Sequence, residues 1–231
     1  MKKLIAWISV FTILCAFFVD FACAQSETPI KFRGIEWYTQ FADVNEQLGL
    51  SKGYSKEYIM INNDLAVMDD IDGDWVRDEN YNTITGMGIE VWYNSVDVAG
   101  YSAIPTLYCI YPIADGATIV NENEAELYKA EYIIDGYTDA VSVYMDLKEK
   151  LTSVYGNGEP RNVSFRKECT YWQDEVGNEL LLSRAVGTVA ISYAANGHRE
   201  RLKALKEVRL AEICKAEAEE RAQNTENTSG L

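Results

Sequence analysis

The chain has 231 residues, with 36 acidic against 21 basic side chains and a formal charge of −15. A surface that acidic repels phosphate backbones and anionic membrane surfaces, which argues against nucleic acid as a partner and favours cations or cationic partners. With 48% hydrophobic residues the chain can bury a real core, and its length fits one large domain or two small ones.

The chain opens Met1-Lys2-Lys3, runs apolar from Leu4 to Val19, and reaches Ala22-Cys23-Ala24 before Gln25. A charged n-region, an h-region and an A-x-A site predict a signal peptide over residues 1–24, cut after Ala24. Two alternatives are an uncleaved anchor, since the apolar run is near the lower length limit for a span, and lipidation of Cys23. Asp20 stands three places before Cys23, where a lipobox wants an aliphatic residue. The expected location is therefore secreted or in the cell envelope, outside the cytoplasm, with membrane contact only through an uncleaved signal or a lipidated Cys23. Cleavage removes Lys2, Lys3 and Asp20, so the remainder is one unit more acidic.

Beyond the cleavage site, "IKFRGIEW" reads as a short strand entering a turn. Thr39 can cap a helix whose Phe41, Val44 and Leu48 share a face, and Gly49 stops it. "DLAVMDD" and "WVRDENY" form a hairpin candidate around Asp72-Gly73. "GIEVWYNSVDV", "TLYCIYP" and "LYKAEYII" are rich in aromatic and β-branched residues and predict three strands. The strongest helix follows, with Thr138 as cap, Val141, Tyr144, Leu147, Leu151 and Val154 on one face, and Gly156 as its end. "CTYWQDEVGNELLLS" is a hairpin turning at Gly177-Asn178, and "GTVAISYA" is one more strand.

From Arg199 to Ala222 the composition shifts to Ala, Glu, Lys, Arg and Leu without Gly or Pro, which predicts a long helix. Leu202, Leu205, Ile213 and Ala216 share a face, but Arg209 and Glu212 interrupt any heptad, so a charged, loosely docked helix is preferred to a coiled coil. The expected organisation is a signal peptide at 1–24, a globular domain at 25–196, a charged C-terminal helix at 197–222 and a disordered tail at 223–231. The fold class is α+β: an antiparallel β-sheet meander with two main helices on one face, plus the charged C-terminal helix. Connections elsewhere are too short for crossover helices. "WYTQFADVNEQLG" and "GYTDAVSVYMDLKEKLTSVYG" echo one another, but capping rules alone generate that shape.

"FRGIEW", a short helix ending in "QLG", and later "DLKEKLTSVYG" together resemble uncharacterised secreted proteins of Gram-positive gut bacteria, which often carry an FRGIPWG-like opening. More distantly, the helix-then-strands order is similar to the small α+β domains of outer-membrane assembly lipoproteins and β-lactamase inhibitor proteins. The resemblance spans roughly residues 31–195. It rests on packing and capping motifs, and so implies a fold without an activity.

Motifs that carry chemistry are sparse. In "DDIDGDWVRDENY", Asp70, Asp72 and Asp74 are spaced like the first, third and fifth ligands of a calcium loop. Trp75 stands where the loop needs Gly, and Tyr81 where it needs a bidentate Glu, so an EF-hand is not expected. A weak calcium site at Asp70, Asp72 and Asp74 competes with a plain acidic hairpin tip; no other cofactor is expected. The single histidine, His198, leaves at most one imidazole for any triad, metal cluster or dyad with Cys109 or Cys169. No zinc spacing occurs, and a carboxylate pair for a glycosidase could be drawn from so many acids that none is informative. Cys109 and Cys169 lie in strand-like runs; a bridge is one reading, and two small buried hydrophobes is the other. Cys214 stands alone on a helix, either an interchain bridge or an unpaired surface thiol.

Fifteen Tyr and five Trp remain. Trp37, Trp92 and Trp172 could belong to a stacking platform for sugars or peptides, although sheets use the same residues for their own packing. The expectation is a secreted or envelope-associated, non-enzymatic binding module for a protein or glycan. Weak calcium binding through Asp70–Asp74 and a hydrolase with a carboxylate site are the alternatives.

Overall fold

The aromatic and β-branched runs of this chain assemble into one antiparallel sheet in the computed structural model, which describes residues 26–58, 86–161 and 168–228. Its path is β1 (Lys52–Tyr58), β2 (Gly88–Tyr93), β4 (Tyr101–Ile110), β7 (Glu126–Asp135), β11 (Thr188–Ala194), β10 (Glu179–Arg184), β9 (Glu168–Gln173) and β8 (Glu159–Pro160). A ninth described strand, β3 (Val96–Val98), pairs with β4 off this path. The short hairpin of β5 (Ile113–Ala114) and β6 (Ala117–Thr118) stands separately. The meander comes in two runs. The chain lays down β1 to β7, passes through a helix to the far edge, and returns from β8 until β11 joins β7.

Helices α1 (Phe41–Leu48) and α2 (Ala140–Tyr155) cover one face, and α3 (His198–Thr228) meets the other. This is the expected α+β architecture. The first face carries the main core: Phe32, Val44, Val91, Leu107, Leu127, Ile134, Leu147 and Leu180 are among its buried members. Each such side chain removed from water contributes about 1.5–3 kcal/mol. On the second face Leu202 and Leu205 of α3 close over Met87, Ile110 and Tyr128. A third cluster on that face joins Cys169, Tyr171, Leu181 and Ala194.

Local details depart from the sequence reading. "IKFRGIEW" is a tight turn closed by a single Phe32–Ile35 bridge, because Arg33 and Gly34 both take positive φ (52° and 78°). Gln40, not Thr39, precedes α1; Thr39 Oγ1 instead donates to the Glu36 carbonyl at 2.8 Å. Asp139 caps α2, accepting from Ser142 N–H at 3.0 Å, where Thr138 was expected. The buried stripe of α2 is Ala140, Val143, Tyr144 and Leu147, with Val141 and Val154 exposed. Tyr144, Leu147 and Leu151 fit both stripes at a 3.6-residue period, so only packing against β10 and β11 decides between them. Helix α3 runs six residues past the expected Ala222, since no Gly or Pro intervenes before Gly230. Cys109 and Cys169 are both buried and unbridged, the first on the α1–α2 face and the second on the opposite one. Burial pushes the Cys109 thiol pKa up. The Asp72-Gly73 hairpin lies outside the described residues.

Candidate functional site

Register decides what the second face presents. In antiparallel pairs directly opposed residues share a face, so the pairings define one rung: Tyr54, Trp92, Thr106, Glu131, Ser192, Leu181 and Tyr171. The rung beside it carries Glu90, Tyr108, Lys129, Ala194 and Glu179. A bulge makes this possible. Tyr108 opposes Lys129, yet Cys109 opposes Leu127, so Tyr128 is the extra residue, and both Tyr128 and Lys129 reach the second face.

The middle of these rungs is charged and buried. Lys129, its side chain 2% exposed, lies 3.1 Å from Glu131 Oε1 and 4.0 Å above the Tyr108 ring. Glu131 also accepts from Ser192 Oγ at 2.8 Å on Oε1 and from Tyr108 OH at 3.0 Å on Oε2. Two charges out of water are costly, and these added hydrogen bonds and the cation–π contact offset that cost. Both oxygens of Glu131 are thus engaged, by two hydroxyl donors and the Lys129 ion pair, and Ser192 donates straight to a carboxylate with no imidazole between them. That chemistry suits a fixed scaffold better than a base or a nucleophile.

At the β1 end the rung turns aromatic and outward. Tyr54 is 56% exposed and Trp92 41%, their rings 5.9 Å apart and tilted by 58°. The Trp92 indole Nε1–H donates to Glu90 Oε1 at 2.6 Å, which fixes the ring while leaving its face outward. Ile104, two residues before Thr106 on β4 and 40% exposed, lies diagonal to Trp92 on the same face. Together they form an aromatic shelf rimmed by one aliphatic residue. A cleft of about 160 Å³ lies elsewhere, between α3 and the end of β4, where Arg201 pairs with Glu126 at 2.8 Å and covers the Tyr38 ring at 4.0 Å. It is smaller than the roughly 300–1,000 Å³ of ordinary ligand pockets.

The three tryptophans named from sequence are not brought together. Trp37 is half-buried on the main core and donates to the Ile30 carbonyl at 2.8 Å. Trp172, 1% exposed, is part of that core and donates to the Gly156 carbonyl at 2.9 Å. Trp92 alone of the three faces outward on the second face. Asp70, Asp72 and Asp74 lie outside the described residues; among the described residues no three His, Cys, Asp or Glu side chains converge as a metal would require. His198 is on the second face and Cys109 on the first, so those two cannot form a dyad. Sequence reasoning missed Glu90, Tyr108, Lys129 and Glu131. The available signal was the pair of charges inside the otherwise apolar run "LYKAEYII".

Among the described residues no helix is long and apolar enough to cross a membrane. Comparison with protein families, with curated proteins and with solved structures returns no match.

Proposed function

We propose that this chain is a secreted or envelope-associated, non-enzymatic binding module that engages a protein or glycan partner through the Tyr54–Trp92 shelf. The observation that carries this reading is the pair of exposed, mutually packed rings at the outer end of a row whose middle is locked by buried hydrogen bonds. Trp and Tyr anchors dominate binding energetics because they cover large area at little entropic cost. The full engagement of Glu131 supports a scaffold role over catalysis. The acidic surface favours partners that bring basic groups to the rim of the shelf.

The test compares the full chain with Trp92→Ala and Tyr54→Ala for co-sedimentation with insoluble cell-wall glycan and for fluorescence titration with soluble oligosaccharides and basic peptides. Both variants are expected to melt within about 1 kcal/mol of the parent, since neither ring is buried. Affinity for the bound probe is expected to fall at least about thirtyfold for Trp92→Ala, as loss of an anchor worth ~2 kcal/mol requires. Undiminished binding by both variants would overturn the assignment of the shelf.

A further inference from the structure

Helix α3 is fastened to the sheet at its first turn. His198 is 2% exposed, its ring stacked on Tyr128 at 6.0 Å and 21°. Its Nδ1 lies 2.7 Å from the Ala195 carbonyl oxygen, which makes Nδ1 the protonated donor and leaves Nε2 as a bare acceptor. That Nε2 is buried without a hydrogen-bond partner among the described residues. Gly197, at φ 72°, makes the left-handed turn immediately before the helix.

We propose that His198 is an acid-sensitive latch: a proton taken up at its Nε2 under mildly acidic conditions releases α3 from the second face of the sheet. Burial and two neighbouring cations disfavour the charged form, against the Ala195 carbonyl and the Glu179 carboxylate, which favour it. Arg199 on α3 and Lys129 on β7 repel it, and Tyr128, also on β7, offers a ring face already in contact. Glu179 on β10 attracts it, but that carboxylate already takes Arg199 in a two-pronged pair at 3.1 and 2.9 Å and the Tyr171 hydroxyl. The amino end of a 31-residue helix adds its own positive field. Burial, first among these causes, holds the imidazole below its ordinary value. A group depressed on folding contributes its stability above its unfolded pKa, about 6.5 for histidine, and loses it as pH falls through the folded value. Carboxylates as a class titrate about two units lower, so the window just below pH 6.5 belongs to histidine. Release would uncover Met87, Ile110 and Tyr128, which Leu202 and Leu205 now cover.

The chain contains one histidine, so in the full, untagged protein the imidazole proton resonances belong to His198 alone. The test is an NMR titration of that ring alongside hydrogen-exchange mass spectrometry from pH 7.5 to 5.5, corrected for intrinsic exchange. The ring is expected to titrate below about 6.5. Protection over residues 199–213 is expected to fall at least about tenfold with the same midpoint, while β4 and β7 keep theirs. His198→Phe retains the stack and removes the proton site, and should leave α3 protected throughout. A ring that titrates at or above 6.5, protection in α3 that is unchanged while the ring titrates, or loss that persists in His198→Phe would each overturn the latch. Should the Phe variant not fold, the coincidence of the two midpoints in the parent chain decides the matter alone.

Discussion

Replacing Asp174 by Ala should be among the most damaging single changes in the domain. The side chain sits buried in the β9–β10 turn and receives four hydrogen bonds. Oδ2 accepts from Ile30 N–H and Asn178 Nδ2–H, both at 2.9 Å, and Oδ1 from Asn178 N–H at 2.8 Å and Val176 N–H at 3.1 Å. Val176 is exposed, so water can replace its bond. Ile30 is fully buried and Asn178 nearly so, and their amides have no such recourse. Each orphaned buried donor costs about 1–3 kcal/mol, so Asp174→Ala should lose ~4 kcal/mol. Asp174→Asn keeps one acceptor and turns the other oxygen into a donor facing donors, for a loss of ~2 kcal/mol. Urea unfolding followed by the fluorescence of Trp37 and Trp172, both packed in the core these bonds pin together, measures each value. A loss under about 1 kcal/mol for Ala at unchanged m-value, or an Asn variant no better than Ala, would refute this account of the turn.

Gly88 and Gly34 separate crowding from backbone strain. A Cβ on Gly88 would sit 2.0 Å from the Cys109 carbonyl oxygen, inside the β2–β4 ladder, so Gly88→Ala should cost about 3 kcal/mol or prevent folding; Gly34→Ala meets nothing within 4 Å and should cost only the ~1 kcal/mol of its positive φ, both read by thermal melts. For α2, Asp139→Ala should lower the melting temperature while Thr138→Ala leaves it unchanged. The Ser142 hydroxyl and amide hold the Asp139 carboxyl below its ordinary value, so its contribution is present above about pH 4 and disappears as pH falls through the folded value; the difference between parent and Asp139→Ala should shrink steadily in melts taken at successively lower pH below about 4.

What sequence could and could not reveal divides along one line. Most patterns that depend on a residue and its chain neighbours were legible: Gly49 at φ 58° ends α1, Gly156 ends α2, and Gly177 turns the β9–β10 hairpin, whereas the helix N-caps fell one residue past Thr39 and Thr138. The strand runs from Gly88 onward also fell where their aromatic and β-branched residues placed them, whereas "IKFRGIEW" did not and β1 carried no such signal. Patterns that depend on a partner strand were not. Nothing local says that the run after α2 returns from the far edge to meet β7, or that Tyr128 bulges. Without that bulge, strict alternation sends Lys129 to the same face as Leu127, into the main core. The charged rungs are therefore a product of tertiary register, and so is the position of the Tyr54–Trp92 shelf at the end of one of them.

That dependence also explains why a sheet should bury Lys129 and Glu131 at all. A buried ion pair is weak support for stability, since well-packed apolar residues of similar volume often do as well or better. It is strong support for register. Sliding β4 by one residue against β7 would carry Thr106 and Tyr108 to the apolar face and strip Glu131 of the Tyr108 hydroxyl, leaving a carboxylate short of donors inside the sheet. The same slip would move Trp92, paired to Thr106, out of line with the row. On this argument the polar rung is the gauge that sets β2 and β4, and the exposed rings of Tyr54 and Trp92 stand where they do because Glu131 and Lys129 penalise every other alignment. A Lys129→Met, Glu131→Leu pair could then retain the fold and still lose the shelf.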